Sequence, residues 1–162
     1  MDYFFDDNMI TTLINEKKQL NITIEEIYRE IKLNNKCNHK ECKISIDRQD
    51  GQSEFLIIIR KSTKNELDFS VILAFRNKEH DKYFILRRYN GKSHRHTNKL
   101  ENDAFYDFHI HYATERYQKH GLREDYYAEK TDKYNNIESA IQIMIRECNI
   151  KLKEIPNLFN NY

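Results

Sequence analysis

Four of the seven histidines fall within eighteen residues, as His94, His96, His109 and His111. The ordinary pKa of imidazole lies close to neutral pH, so these side chains can serve as general acids and bases, and they are also common ligands of transition metals. Because side chains alternate between the two faces of a strand, His109 and His111 should point the same way, together with Asp107. The spacing therefore predicts one surface that carries several imidazoles.

This segment is locally basic although the whole chain is not. Between residues 84 and 120 there are seven Lys or Arg and four Asp or Glu, whereas the full chain has 27 basic and 26 acidic residues and a formal charge of +1. The balanced total gives no chain-wide nucleic-acid signature, so an anion site has to be local. We expect phosphate to be bound by Arg87, Arg88, Lys92, Arg95 and Arg116.

Three functional interpretations of the histidine surface compete. In the first, the four imidazoles act as general acid and base on an RNA phosphodiester, a reaction that needs two proton-transferring groups. In the second, two or more imidazoles bind zinc or another transition metal, with Asp107 as a ligand or as the partner of one. In the third, the histidines are exposed polar residues of a sheet face that contacts nucleic acid or protein. A fourth, purely structural interpretation is that they only hydrogen-bond the backbone of their hairpin.

The elements that must position these residues are helices at both ends of the chain and strands between them. Helix-capping side chains and apolar residues at helical spacing predict a helical N-terminal part over 1–36 and a C-terminal helix over 135–149. The proposed caps are Asp6 or Asp7, Thr23 with Glu26, and Asn135 or Asn136. Alternating and continuous apolar runs predict five strands within 43–114. The prediction is a single α+β domain over 1–162, with two N-terminal helices, a five-stranded mostly antiparallel sheet and a C-terminal helix packed on it.

The histidines belong to a predicted antiparallel hairpin formed by residues 83–96 and 105–114. Its short connection should bring the first two histidines near the second two. Tyr106, Phe108, Ile110 and Tyr112 alternate with the histidines and are assigned to the core face. On the other strand Tyr83 and Ile85 alternate in phase with Arg87, so we expect that face to be partly apolar, covered in part by a helix, with the site at its exposed end.

A second group of potential metal ligands precedes the sheet. Cys37, His39 and Cys42 offer three zinc-binding side chains in six residues, but the tighter Cys-x₂-Cys spacing and a fourth ligand are missing. Reduced loop cysteines are the preferred interpretation, and an odd total of three cysteines predicts no disulfide framework. We therefore expect no cofactor, with zinc as the alternative.

Because the sequence shows no membrane-spanning run and no signal peptide, we expect a cytoplasmic protein. Apolar runs such as 55–59 are too short for a membrane span, and the N-terminus lacks the basic and apolar regions of a signal peptide.

Tyrosines between residues 112 and 134 alternate with Arg116, Lys119 and Arg123, a composition that can stack nucleobases. Packing of a long irregular connection is the preferred interpretation for these tyrosines.

Two short pieces of the histidine segment carry a resemblance to a known family. The run Arg88-Tyr89-Asn90-Gly91, with His94-Arg95-His96, His109-Ile110-His111 and a closing amphipathic helix, resembles the TumE-like toxins of bacterial toxin–antitoxin modules over residues 54–150. The chain also resembles an uncharacterised bacterial and phage group with the same Arg-Tyr-Asn-Gly and Phe-His-Ile-His pieces. Asn90-Gly91 stands where the toxin family has Asp-Asn, and residues 97–134 are a long insertion. The resemblance implies an RNA-directed toxin with a ribonuclease-like role.

The first functional hypothesis is accordingly an RNA-acting, toxin-like protein whose partners are RNA or a protein–RNA complex and an antitoxin. The alternative is a non-enzymatic inhibitor or adaptor, phage-encoded and directed against a defence complex that handles nucleic acid. A near-neutral charge and many Tyr, Asn and Glu side chains suit a protein-binding surface as well as an RNA groove. The sequence leaves open whether the protein is an enzyme.

Overall fold

The computed structural model of the chain describes residues 3–33, 35–36 and 39–155. Within these ranges the fold is α+β and is built on one antiparallel sheet. In spatial order its strands are β10 (Tyr127–Lys130), β9 (His109–Tyr112), β6 (Phe84–Asn90), β5 (Phe69–Asn77), β4 (Ser53–Ser62), β3 (His39–Asp47) and β2 (Asn35–Lys36). Two small pairs lie outside it, namely parallel β1 (Lys18–Gln19) with β11 (Ile150–Lys151), and antiparallel β7 (His96–Asn98) with β8 (Asp103–Phe105). The helices are α1 (Asp7–Asn15), α2 (Ile24–Leu33), α3 (Glu115–Lys119) and α4 (Ile137–Glu147).

The α+β class and the mostly antiparallel sheet are confirmed, whereas the count of five strands is wrong. In the described part of the chain the sheet has six strands of four or more residues, and the two-residue β2 extends it at one edge. The unpredicted strand β10 reads Tyr-Ala-Glu-Lys, which lacks the apolar alternation that reveals a half-buried strand. The helix arrangement also differs from the prediction, because the short α3 lies between β9 and β10.

The long helices begin at capping residues that the sequence identifies. The Asp6 carboxylate accepts a hydrogen bond of 2.7 Å from the Met9 N–H, and Asn136 accepts one of 2.8 Å from the Ser139 N–H. These bonds satisfy backbone donors that have no partner within a helix. Thr23 and Glu26 form the reciprocal pair of a capping box at the start of α2.

The three long helices pack on one face of the sheet. Apolar residues of α1, α2 and α4 join the inward-facing side chains of the central strands in one buried core. The strand β4 is buried along most of its length, as its continuous apolar sequence predicts for a central strand. A smaller apolar cluster lies on the opposite face and consists of Leu56, Ile58, Ile72, Ala74 and Ile85.

A bulge in β6 decides which side chains share that opposite face. Leu73 is paired with Arg87 and Ala74 with Ile85, so Leu86 is the extra residue. The bulge breaks the simple alternation, with the result that Ile85 and Arg88 point to the opposite face while Arg87 points toward the helices. The expectation that Arg87 shares a face with Ile85 is therefore wrong.

None of the helices in the described ranges is both long enough and apolar enough to span a membrane.

Candidate functional site

Three imidazoles form a compact cluster on the face of the sheet opposite the helices. His109 and His111 project from β9, and His96 projects from β7. The ring centroid of His96 lies 5.2 Å from that of His109 and 4.8 Å from that of His111, and the centroids of His109 and His111 are 4.9 Å apart. We call these residues the inner histidines. His94 lies beside them, with its ring centroid 5.7 Å from that of His109, and is exposed.

Sheet pairing and one side-chain amide place the inner histidines. The antiparallel pairing of β6 with β9 sets His109 opposite Asn90 and His111 opposite Arg88. The hairpin of β7 and β8 lies over this end of the sheet, where Asn98 binds the backbone of Ala128 in β10 through both of its amide groups, at 2.8 and 2.9 Å. The hairpin covers His109 completely and His111 almost completely, since they are 0% and 3% exposed.

Each inner histidine has one ring nitrogen committed to a fixed acceptor. His109 Nδ1 lies 2.7 Å from the carbonyl oxygen of Asp107, and His111 Nδ1 lies 2.7 Å from that of Asp125. His96 Nε2 lies 2.9 Å from the side-chain oxygen of Asn98. Because these partners accept, the nitrogens that face them carry the hydrogens in a neutral ring. The second nitrogen of each ring therefore presents a lone pair.

The lone pairs of His109 and His111 are directed at the same amide. Asn90 Nδ2 lies 3.4 Å from His109 Nε2 and 3.2 Å from His111 Nε2, and its two hydrogens can serve both rings. Ser70 Oγ donates to the Asn90 oxygen at 2.8 Å, which fixes the orientation of the amide. The bonds to the imidazoles are long for N–H donors, and they hold the cluster together weakly.

Burial keeps the inner histidines neutral at physiological pH. Loss of hydration lowers the pKa of His109 to about 4 and lowers the pKa of His111 further, where the nearby Arg88 charge acts in the same direction. Loss of hydration also lowers the pKa of His96. A neutral imidazole can bind a metal through its lone pair, but a strongly lowered pKa makes His109 and His111 poor proton donors and poor proton acceptors, which leaves His96 as the better base.

A buried carboxylate joins two arginines next to this cluster. Asp125 is fully buried, with its oxygens 2.7 Å from Arg88 Nη2 and 3.2 Å from Arg123 Nη2. Arg88 also borders His111, since the guanidinium lies 3.4 Å from the ring nitrogen Nδ1. Glu124 also interacts with both guanidinium groups, so the excess positive charge comes from Lys99, which lines the pocket beside them. Within the described residues, the buried Nε–H of Arg88 has no hydrogen-bond partner.

An open pocket of about 330 Å³ adjoins the inner histidines. Its imidazole side is formed by His94, His96 and His111, and its charged side by Arg88, Lys99 and Arg123. The remaining lining residues are Ser70, Asn90, Thr97 and Tyr126. No carboxylate is among the described residues that line it, so the arrangement favours a small anion. We call this space the histidine pocket.

The predicted basic residues reach this pocket only in part. Arg88 lines it, whereas Arg87 lies on the helix side, 3.5 Å from the Glu147 carboxylate and over the ring of Tyr112. Arg116 is paired with Glu101 outside the pocket, and the exposed Arg95 is not among the lining residues.

The expectations for the neighbouring acidic and aromatic residues also change. Lys92 lies 3.9 Å from the carboxylate of Asp107 and does not line the pocket. Asp107 binds His109 through its carbonyl oxygen, while its carboxylate accepts from the Phe108 N–H. Tyr106 is exposed instead of belonging to the core face, because β9 begins only at His109.

Several residues that complete the pocket were not identified from sequence. Lys99 and Arg123 flank the ring of Tyr126, with charge-to-ring distances of 5.1 and 5.4 Å. The interleaved tyrosines and bases of residues 112–134 were the available signal for Arg123 and Tyr126. Other tyrosines of that stretch, such as Tyr117 and Tyr134, are buried packing residues as expected.

The other predicted metal-ligand group falls partly outside the described residues. Cys37 lies outside them, Cys42 is buried in the core on the helix side, and His39 is exposed on β3. Among the residues that the structure describes, the group suited to a metal is the three inner histidines, whose candidate ligand atoms lie within 4.8 Å of one another.

No protein-family model, no curated protein and no solved structure matches this chain. The resemblance to TumE-like toxins therefore stays a prediction from the sequence.

Proposed function

We propose that the protein binds single-stranded RNA in the histidine pocket and cleaves a phosphodiester bond there. The observation that carries this proposal is the lining of the pocket, where three cationic side chains face imidazoles and no described carboxylate is present. Phosphate is the anion that this combination suits, because guanidinium and ammonium groups bind its oxygens and imidazoles can move protons at neutral pH.

Phosphate binding is assigned to Arg88, Lys99 and Arg123. The Asp125 carboxylate pairs with Arg88 and Arg123 and orients them, and Lys99 adds a further positive charge for a ligand. This assignment retains Arg88 from the sequence prediction and adds two residues to it.

Proton transfer is divided between His94 and the inner histidines. His94 is exposed at the mouth of the pocket, next to Ser93, and can protonate a leaving group. His96 is neutral and lines the pocket, so among the inner histidines it supplies the proton acceptor. His109 has no exposed surface, and its ring packs against that of His96, with the ring centroids 5.2 Å apart.

These two groups suit cleavage by the ribose itself. The 2′-hydroxyl loses its proton to His96 and its oxygen attacks the phosphorus, while His94 gives a proton to the departing 5′-oxygen. The products are a 2′,3′-cyclic phosphate and a 5′-hydroxyl end, and one proton is taken up for each one given. DNA lacks the 2′-hydroxyl and would bind without cleavage.

The surroundings of the pocket suit a strand longer than one nucleotide. Tyr126 lines the pocket with Lys99 and Arg123 over its ring, and a base could stack on it, for about 1–3 kcal/mol, once one of these cations turns to a phosphate. A second depression of about 680 Å³ shares Arg88 and Arg123 with the histidine pocket and is also lined by Arg60 and Tyr83 and by the carboxylates of Asp81 and Glu124. Together they form a path along the sheet face opposite the helices. A toxin role, with an antitoxin as partner, follows if the resemblance to TumE-like proteins reflects kinship.

Cleavage of a labelled RNA oligonucleotide by the purified protein tests the proposal. We expect a 2′,3′-cyclic phosphate product, and we expect His94→Ala to reduce the rate by about 10²–10⁴-fold, the usual contribution of a proton-transferring side chain. His120→Ala is the matched control, because His120 is an exposed histidine outside the pocket. A 2′-deoxy oligonucleotide should bind without being cut.

Equal cleavage by the wild-type protein and His94→Ala would contradict the proposal and would indicate a contaminating nuclease. Binding of RNA at the pocket without turnover would remove the catalytic part. Failure to bind RNA at all would leave the inhibitor or adaptor hypothesis as the better account.

A further inference from the structure

The three inner histidines have the arrangement of a metal site as well as that of a hydrogen-bonded cluster. Their candidate ligand nitrogens lie within 4.8 Å of one another. In a tetrahedral zinc site with Zn–N bonds of about 2.0–2.1 Å, neighbouring nitrogens are roughly 3.4 Å apart. Closing the cluster onto an ion therefore needs a movement of about an ångström, and His96 is the residue suited to move, because its strand β7 has only three residues.

The hydrogen bonds around the cluster are those that metal-binding histidines make. Each ring gives its N–H to a fixed oxygen, namely the carbonyls of Asp107 and Asp125 and the side-chain oxygen of Asn98. Such partners fix the ring orientation and raise the basicity of the ligand nitrogen. All three rings therefore offer a neutral lone pair without any further proton loss, which is the form that a metal requires.

We propose that His96, His109 and His111 bind one divalent transition-metal ion, with zinc as the reference ion, at the inner end of the histidine pocket. Three imidazoles suit zinc and related ions and leave a fourth position for water or substrate, as in catalytic zinc sites. The fourth position faces the pocket, since His96 and His111 are among its lining residues.

Two neighbours set the conditions for binding. The Asn90 amide occupies the lone pairs of His109 and His111 and has to give up two long hydrogen bonds. The guanidinium of Arg88 adds positive charge 3.4 Å from the His111 ring, although Asp125 offsets it. The excess positive charge makes hydroxide or a phosphate oxygen the favoured fourth ligand.

This inference deepens the proposed function, and its catalytic part rests on that function. A zinc-bound hydroxide would take the proton of the 2′-hydroxyl and become zinc-bound water, so the ion would provide the proton acceptor that His96 supplies in the scheme above. His94 stays free as the proton donor. Metal binding itself does not depend on RNA.

Zinc titration of chelator-treated protein, followed by calorimetry, tests the site without any substrate. We expect one zinc per chain for the wild-type protein, and at least a tenfold weaker affinity for His96→Ala. His94→Ala is the matched control and should bind zinc within about threefold of wild type, because its ring is not one of the three. Absorption of bound cobalt(II) should report a four-coordinate site in the wild-type protein and in His94→Ala.

A thermal melt of each variant shows whether it is folded. Zinc at a hundredfold excess over its dissociation constant should stabilise the wild-type fold by about 2.7 kcal/mol and leave His96→Ala unshifted. No zinc binding by the wild-type protein, or equal binding by His96→Ala, would overturn the metal site. RNA cleavage that persists in chelator while zinc binds would overturn only the catalytic role of the ion, whereas zinc binding without cleavage would overturn the proposed function and leave the site.

Discussion

The side chain of Asn98 ties the β7–β8 hairpin to the edge of the main sheet, and its replacement by alanine should damage both stability and the site. Its amide donates to the carbonyl of Ala128 at 2.8 Å and accepts from the Ala128 N–H at 2.9 Å, as a neighbouring strand would. Its oxygen also receives the His96 ring N–H at 2.9 Å. Asn98 and Ala128 are 3% and 1% exposed, so water cannot take over these bonds in the intact fold.

The magnitude follows from the groups left unpaired. Asn98→Ala removes the partners of two buried backbone groups, and each such loss costs about 1–3 kcal/mol. We expect a loss of about 2–5 kcal/mol in the free energy of unfolding, a large share of the roughly 5–15 kcal/mol of a typical domain. The His96 ring also loses the acceptor that fixes its orientation, so zinc affinity should fall about 10–100-fold.

Urea unfolding followed by circular dichroism measures the first effect, and zinc calorimetry measures the second. Thr97→Ala is the matched control, since Thr97 is the exposed neighbour on the same strand and its loss should change stability by no more than about 0.5 kcal/mol. A loss below about 1 kcal/mol in Asn98→Ala would refute the inference that this side chain replaces a strand at the sheet edge.

Three further predictions concern the fold that carries the site. The buried Lys18 ammonium lies 2.7–3.0 Å from four carbonyl oxygens, three at the end of α1 and one at the end of α4, among which its three N–H groups are shared. Lys18→Met should therefore cost about 3 kcal/mol or more in urea unfolding, while the exposed control Lys17→Met stays near wild type. Gly91 lies against the turn between β4 and β5, where an added Cβ would meet the Leu67 carbonyl oxygen at 2.0 Å. Gly91→Ala should therefore lower stability by about 1–3 kcal/mol or more, and an unchanged melting temperature would contradict this prediction. The pKa of His109 is lowered to about 4 from an ordinary 6.5, so the unfolded chain binds more protons than the folded one between these values. In zinc-free protein, protonation of His109 should lower the free energy of unfolding by about 3 kcal/mol as the pH falls from 6.5 to 4, and should have no effect above pH 6.5. Urea unfolding across that range measures this change, and a free energy of unfolding that does not vary with pH would contradict it.

The three long helices were predicted well from the sequence, because the capping residues and apolar spacing that produce them lie within a few residues of one another. The caps at Asp6 and Asn136 act on backbone groups three residues away, and the apolar stripe of α4 depends only on helical spacing. The central strands were predicted for the same reason, since residues 55–59 of the strand predicted over 54–62 form an uninterrupted apolar run. The pairing of β6 with β9 agrees with the predicted hairpin, although residues 91–108 between them contain a second hairpin, β7–β8, that was not predicted.

The site was predicted less completely because its contacts are long-range or irregular. His94 and His96 cluster with His109 as expected, but through the separate β7–β8 hairpin and not through a strand that runs from 83 to 96. Arg87 was misplaced because a strand's regular alternation does not reveal the bulge at Leu86. The burial of His109 depends on a hairpin held by a contact between residues thirty positions apart. No pattern within a short window contains that information.

The most direct test of the central claim is to locate a bound phosphodiester by NMR of the histidine side chains. A 2′-deoxy dinucleotide would be titrated into protein labelled with ¹⁵N histidine, so that binding is observed without cleavage. Binding in the histidine pocket should shift the resonances of the ring nitrogens of His94 and His96, with little change at His80 and His120, which lie outside the pocket. Unchanged resonances of His94 and His96 at a saturating concentration of dinucleotide would contradict it.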